Sequence, residues 1–354
     1  MRISRLVLAF VMLPCLGTAQ KRLVDGPYVF YEGDSAVVKT IYQQEDLASA
    51  VTQKYPVKSR FSLNSEGSEI HLKPQITIPA NITPAPEKLY VLSDIEGEFD
   101  AGYKLLLAGG VIDPSGNWTF GKGHLVIAGD LFDRGTQVLP WLWLLYTLED
   151  KAVAAGGQVH VILGNHDIMQ LAGDFRYTDA RYFKYAWLMG RELKQLFGED
   201  SELGRWLRSK NVVEKIGDLL VMHAGMSPAL NSKQLSLTQI NDITRPLLGV
   251  PRKQMPDSLQ VFFNGNSPFW YRGYFYEPVA SMATIDSTLK QYGCKHIIVG
   301  HTITDTVIVK RFDGKVIGVD VDQHEGQHKG LYVEAGKYYQ VGLDGKKTLI
   351  LEDI

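Results

Sequence analysis

Five short apolar runs of this chain, at 89–92, 124–128, 159–163, 219–222 and 296–299, each end in a polar side chain flanked by small residues. Runs of this length, partly β-branched, read as buried strands. The first ends in Asp94-x-Glu96-Gly97, the second in "AGDLFDRG" with Asp130, Asp133 and Arg134, and the third in "LGNHD" with Asn165, His166 and Asp167. The fourth delivers His223 in "MHAG" and the fifth His301 in "VGHT". Carboxylates at the end of a buried run are costly unless something pairs with them, and the carboxyl edge of a sheet is where α/β proteins gather ligands. One such end is an ordinary solvated turn, whereas the repetition points to a metal site. Carboxylate, amide and imidazole donors suit Mn²⁺, Fe or Zn²⁺, and the absence of cysteine from these ends argues against a zinc knot or an iron–sulfur cluster. Glycines in the same loops permit close backbone approach and positive φ.

Between the runs the pattern turns helical, at 100–108, 136–155 and along a stretch at 179–208. Alternation of this kind predicts an α/β (α+β) core, a sheet with helices on its faces. A further strand is expected at 260–263. The stretch between Asp167 and Gly217 reads as strandless and mainly helical, an insertion at about 168–216 that can wall a pocket at the carboxyl edge. Residues 20–86 form a β-rich leader whose "ITIPANITPAPEK" argues for a linker or wrapping strand, since proline lacks the amide a helix needs. Beyond 300, "DTVIVKRFDGKVIGVDV" and "GLYVEAGKYYQVGLDG" read as antiparallel hairpins.

The amino terminus has a separate logic. Arg2 and Arg5 precede an apolar run at 6–16 that is too short to span a membrane, and Gly17-Thr18-Ala19 resembles a cleavage site. A signal peptide at 1–19 is expected, giving an exported, periplasmic or secreted chain with no stable membrane insertion after its removal. Leu13-Pro14-Cys15 fits a lipoprotein site poorly. Loss of the signal leaves Cys294 as the only cysteine, so no internal disulfide is available, and its apolar neighbours mark it as structural. A 45% hydrophobic chain of 354 residues can bury a substantial core, while a formal charge of -2 without a basic run argues against nucleic acid as a partner.

Taken together, "GDLFDRG", "GNHD", "MHAG" and "VGHT" resemble the motif series of the calcineurin-like metallophosphoesterases, and the Asp-Arg-Gly places the chain nearer the phosphoprotein phosphatase branch. With "FNGNSPFWYRGY" and the hairpin-rich tail, the layout is most similar to the bacterial Shewanella-like protein phosphatases over residues 88–325. This resemblance implies a metallophosphoesterase-type β-sandwich flanked by helices, with the catalytic domain at 87–345. It also implies two divalent metal ions. Asp94, Glu96 and Asp130 would hold the first; Asp130 as bridge, Asn165, His223 and His301 would hold the second. Asp133 would orient His166 so that its imidazole protonates the leaving oxygen, and Arg134 and Arg272 would grip phosphoryl oxygens with planar donors.

Two cations about 3.5–4 Å apart hold a phosphate and lower the pKa of a bridging water, so no side-chain nucleophile is needed. Glu96 departs from the resemblance, because the family has histidine there. It can ligate directly and favour a hard cation such as Mn²⁺ or Mg²⁺, ligate through water, or leave the first site empty. Mn²⁺ is the expected metal, with Fe, Zn²⁺ and Mg²⁺ as alternatives. The expected function is hydrolysis of phosphomonoesters, as a protein phosphatase on phosphotyrosine or phosphoserine/threonine or on small monoesters, with Phe175, Tyr177, Phe269, Trp270 and Tyr271 as candidate stacking groups. One alternative is a nucleotide or dinucleotide polyphosphate hydrolase, which would need Lys184, Arg191 and Lys194 to point inwards. The other is a weak or inactive metal-binding protein, for which Glu96 is the argument.

Overall fold

The computed structural model describes residues 22–57, 62–65, 68–323 and 325–353. The expected signal segment, with Cys15, lies outside the described residues. Two six-stranded sheets form the core. One runs, in spatial order, Val309–Arg311, Val316–Gly318, His296–Val299, Leu219–Met222, Val213–Ile216 and Ile82–Thr83; the other runs Lys347–Glu352, Lys337–Gly342, Lys329–Glu334, Lys88–Leu92, His124–Ala128 and Gln158–Ile162.

Side chains of a strand alternate between faces, and here both faces are buried. Leu89, Val91, Val126, Ala128, Leu219, Val221, Ile298 and Ile317 fill one cluster contributed by both sheets, the interior of the sandwich. The intervening Tyr90, Leu92, Leu125, Ile127, Leu220, Met222, Ile297 and Val299 belong to a second, larger cluster with the helices. Double burial explains why these strands read as continuous apolar runs. Trp141, Trp143, Trp206 and Tyr146 are among the largest buried side chains of that outer cluster, and the full burial of each such ring contributes roughly 1.5–3 kcal/mol.

The leader is β-rich as expected. Arg22–Glu32, Ser35–Gln44 and Leu47–Pro56 make an antiparallel sheet. It packs on the helices through Tyr28, Phe30 and Val37, and the Trp143 Nε1–H donates to the Pro27 carbonyl at 2.9 Å. The proline-rich stretch does wrap: Ile82–Thr83 pairs in parallel with Lys215 and Ile216.

Three readings are corrected. Residues 260–263 are no strand but lie in a 3₁₀ turn, Asp257–Phe262, where the Gln260 side chain folds back onto the carbonyls of Arg252 and Met255. The long helix at 179–208 is broken into Ala180–Leu188, Leu193–Phe197 and Glu202–Arg208, because Gly190 at φ 67° and Gly198 interrupt it. Nor is the insertion strandless to 216, since Val213–Ile216 joins the sheet as the antiparallel neighbour of Leu219–Met222. Among the described residues no helix is long and apolar enough to cross a membrane.

Candidate metal centre

Lys88–Leu92, His124–Ala128 and Gln158–Ile162 run parallel in one sheet, and Leu219–Met222, His296–Val299 and Val316–Gly318 run parallel in the other. Their carboxyl ends are laced together by main-chain hydrogen bonds: Asp94 N–H to Gly129 O at 3.1 Å, Glu96 N–H to Asp130 O at 3.0 Å, and Gly300 N–H to His223 O at 2.7 Å. The loops are bent hard. Asp94, Glu96, Asp130, Asp133, Arg134 and His301 have φ of 54, 46, 54, 74, 49 and 66°. Left-handed backbone at non-glycine residues costs about 1–3 kcal/mol each and persists only where the surroundings over-determine it. Gly164 and Gly300 have no Cβ for the same reason; one at Gly164 would overlap the Asp130 carboxylate, and one at Gly300 would overlap Ser93 and Asp94.

Asp130 is the centre of the arrangement. Its carboxylate belongs with His223 and His301 in one group of donors, and with Glu96 and His166 in another, each group having its ligand atoms within 4.8 Å of one another. His223 Nε2 lies 3.2 Å from Asp130 Oδ2 and 2.9 Å from Asn165 Oδ1, while its Nδ1 sits 2.8 Å from the Ala128 carbonyl. That backbone acceptor fixes the Nδ1–H tautomer and leaves Nε2 for a cation. His301 Nε2 is buried with no partner among the described residues. A lone-pair nitrogen orphaned beside carboxylates fits a divalent metal ion.

Asp94 is placed differently from expectation. It reaches the same cavity, where its carboxylate accepts the His301 N–H at 3.1 Å and bonds the Ser93 hydroxyl, but it belongs to neither donor group. Glu96, expected beside it, instead contacts the Arg134 guanidinium and has Oε1 3.5 Å from His166 Nε2. Arg272 also lines the cavity, held by hydrogen bonds from Nη1 to His301 O at 2.9 Å and to Thr302 Oγ1 at 3.3 Å.

Without a cation the site is electrostatically divided. Burial pushes the Asp94 carboxyl up to about 6, with His223 drawing it down and Asp130 pushing it up. Burial also opposes charge on Asp130, but His223 overrides it and holds that carboxyl well below the usual range. His223 is raised to about 10 because Asp130 and Asp94 outweigh its burial. Burial, then His223 and Arg272, push His301 well below the ordinary imidazole range, so it stays neutral and able to ligate.

Sequence reasoning missed two residues, Thr178 and Asp320, and placed Asp167 among the strand-end polar groups without its bracing role. Asp167 is no ligand candidate here, since its carboxylate accepts the N–H groups of Asp130, Leu131 and Gly164 and braces the loops. Thr178 donates to Asp133 Oδ1 at 2.6 Å. Asp320, buried, lines the cavity beside Asp94, and burial and Asp94 hold its carboxyl well above the usual range. The signal for Asp320 was present, because 316–319 is another apolar run ending in a carboxylate.

A groove of about 830 Å³ adjoins the site and shares Arg134, His166, Arg272 and His301 with it. Tyr177 and Trp270 line it, as does Phe263, whereas Phe269 and Tyr271 are buried in the core and Phe175 packs on Phe183. Lys184, Arg191 and Lys194 are absent from both walls; Arg191 pairs with Asp200 and Lys194 with the Gly249 carbonyl.

The Calcineurin-like phosphoesterase family profile matches residues 87–305. The crystal structure of a cold-active protein-tyrosine phosphatase of a psychrophilic Shewanella species is similar at 36% identity and a TM-score of 0.84, over 92% of this chain and 98% of that one. Shewanella-like protein phosphatase 2 of Arabidopsis thaliana is 27% identical, over 70% of this chain and 74% of its own length. A symmetrical bis(5'-nucleosyl)-tetraphosphatase of Buchnera aphidicola is 28% identical over 51% of this chain and 58% of its own length.

Proposed function

We propose that this chain, which belongs to the calcineurin-like phosphoesterase family and is a metal-dependent phosphomonoesterase, is a protein phosphatase with phosphotyrosine as its preferred ester, exported and working with Mn²⁺. The observation that carries the reading is the groove: an aromatic-walled trough of about 830 Å³ opens onto His166 and the two arginines. A tyrosyl ring between Tyr177 and Trp270 would present its phosphate to the cavity that Asp130 centres. The high likeness to the Shewanella tyrosine phosphatase supports this choice, and the carboxylate-rich donor set supports a hard cation.

Asp94, Asp130, Asn165, His223 and His301 would hold the divalent cations, which when bound would supply Lewis-acid charge and activate a water. The chain's own residues do the rest. Asp133 takes the Nδ1–H of His166, so that Nε2, which faces Glu96 at 3.5 Å, presents a proton to the leaving oxygen. Arg272 is pinned to the His301 backbone and Arg134 stacks over Tyr177, with 5.6 Å from guanidinium to ring, so both planar forks sit at the mouth of the cavity. Of the residues the nucleotide reading needed, Lys184, Arg191 and Lys194 line neither cavity; the basic residues in the groove besides Arg134 and Arg272 are Arg176, Arg252 and Lys253.

The test is a substrate panel with the purified chain in Mn²⁺: phosphotyrosine and phosphoserine peptides, p-nitrophenyl phosphate and diadenosine tetraphosphate. A kcat/KM at least tenfold higher for the phosphotyrosine peptide than for the phosphoserine one is expected. A preference for the dinucleotide would overturn the reading.

A further inference from the structure

We propose that Asp320 is a metal ligand, completing the first-site donor set with Asp94 and Asp130. This rests on the two-metal reading above. Val316–Gly318 lies parallel beside His296–Val299 with Gly318 opposite Val299, and the Val319 N–H donates to the Val299 carbonyl at 2.8 Å. Two residues beyond that pair, on adjacent chains, stand His301 and Asp320. The strand that delivers Asp320 therefore ends at the edge where its neighbour delivers His301.

Asp320 is only 5% exposed, and its Oδ1 makes no hydrogen bond with any described residue. A carboxylate in that state is expensive unless a cation meets it. No lysine lines the cavity of about 260 Å³ that it shares with Asp94, Asp130 and His301. The Arg272 guanidinium on the same wall already donates to His301 O and Thr302 Oγ1, and Arg134 is in contact with Glu96. His301 Nε2 and Gln323 Nε2 are the other orphaned atoms among the cavity's residues. The unpaired Asp320 oxygen with the buried carboxylates of Asp94 and Asp130 makes a donor set that one small divalent cation would satisfy and that a neutral ligand would not, while the unpaired His301 nitrogen on the adjacent strand belongs with Asp130 and His223. An aspartate-rich first site also explains why Glu96 is at liberty to hold Arg134.

The experiment compares wild type, Asp320→Asn and Asp320→Ala by Mn²⁺ titration calorimetry, elemental analysis after gel filtration, and thermal melting with chelator or with Mn²⁺. Two Mn²⁺ per wild-type chain are expected, and for both variants one tightly held ion with the other weakened at least tenfold. In chelator, Asp320→Asn should melt no lower than wild type, because a crowded carboxyl has been neutralised, while its Mn²⁺-induced rise in Tm should shrink. Variants that bind two ions as tightly as wild type would overturn the assignment of Asp320 and leave the two-metal reading standing. Fewer than two ions on the wild type would overturn both. A variant that melts far below wild type in chelator would mark Asp320 as a structural group and overturn the ligand role.

Discussion

His166 Nδ1 lies 2.8 Å from Asp133 Oδ2, and the other oxygen of that carboxylate accepts the Thr178 hydroxyl at 2.6 Å. The imidazole is thereby aimed: one nitrogen is tied to a buried, doubly bonded carboxylate and the other faces the cavity. Burial opposes a charge on His166, but the Asp133 hydrogen bond and the Asp130 carboxylate outweigh it and raise its proton affinity. A raised imidazole close to where a leaving oxygen departs is the arrangement general-acid catalysis needs.

Replacing His166 with Ala should therefore slow hydrolysis of a phosphotyrosine peptide by about 10²–10⁴-fold, the usual size of lost acid catalysis. For p-nitrophenyl phosphate the loss should be smaller, since a good leaving group needs less protonation. Bound metal, read by elemental analysis, should not change. Equal losses on the two substrates would remove His166 from the leaving-group role.

Asp133→Asn leaves the imidazole in place but takes away the charge that holds its proton. His166 must be protonated to act, so activity falls as pH rises through its pKa. Without Asp133 that pKa drops, and the alkaline limb of the kcat profile should move to lower pH. An unmoved limb with a uniformly lower rate would mean that Asp133 only positions the ring.

Asp130 joins both donor groups, so Asp130→Asn should lower the content of both metals rather than one. The measurement is metal per chain after gel filtration, with p-nitrophenyl phosphate turnover at saturating Mn²⁺ as a second readout. Full occupancy of both sites in the variant would show that Asp130 is no bridge.

Much of the site was legible in the sequence because strands buried on both faces leave unbroken apolar runs, and Asp130, Asn165, His223 and His301 each follow one. What the sequence could not show was direction. Glu96 follows Asp94 by two positions and invites the reading that both reach one cation, yet left-handed φ at both residues turns Glu96 towards Arg134 and His166. Asp320 also follows an apolar run, but that run reads as one arm of an antiparallel hairpin; the hairpin is real, and its second strand lies inside the sheet between Val309–Arg311 and His296–Val299. The same limit applies to 260–263, whose apolar pattern fits a strand and a 3₁₀ turn equally well over so few residues.

Away from the site, His124 Nδ1 lies 3.0 Å from His160 Nε2, whose other nitrogen is 2.6 Å from the Glu214 carboxylate. With the His160 Nδ1–H directed at Glu214, its Nε2 accepts from the His124 Nδ1–H. Burial and then His160 push His124 down to about 4 from an ordinary 6.5. The unfolded chain thus takes a proton at His124 near pH 6.5 and the folded chain only near pH 4, so stability falls as pH drops through that window and is unaffected above it. A shift of this size in a half-buried group, discounted for solvent screening, amounts to about 1–2 kcal/mol. His124→Gln keeps a donor towards His160 without a titrating ring. Urea denaturation at pH 7 and pH 5 in chelator should therefore show wild type losing about 1–2 kcal/mol more than the variant between the two conditions. Equal losses would mean that His124 is protonated in the folded chain at pH 5 and that the histidine pair accommodates charge.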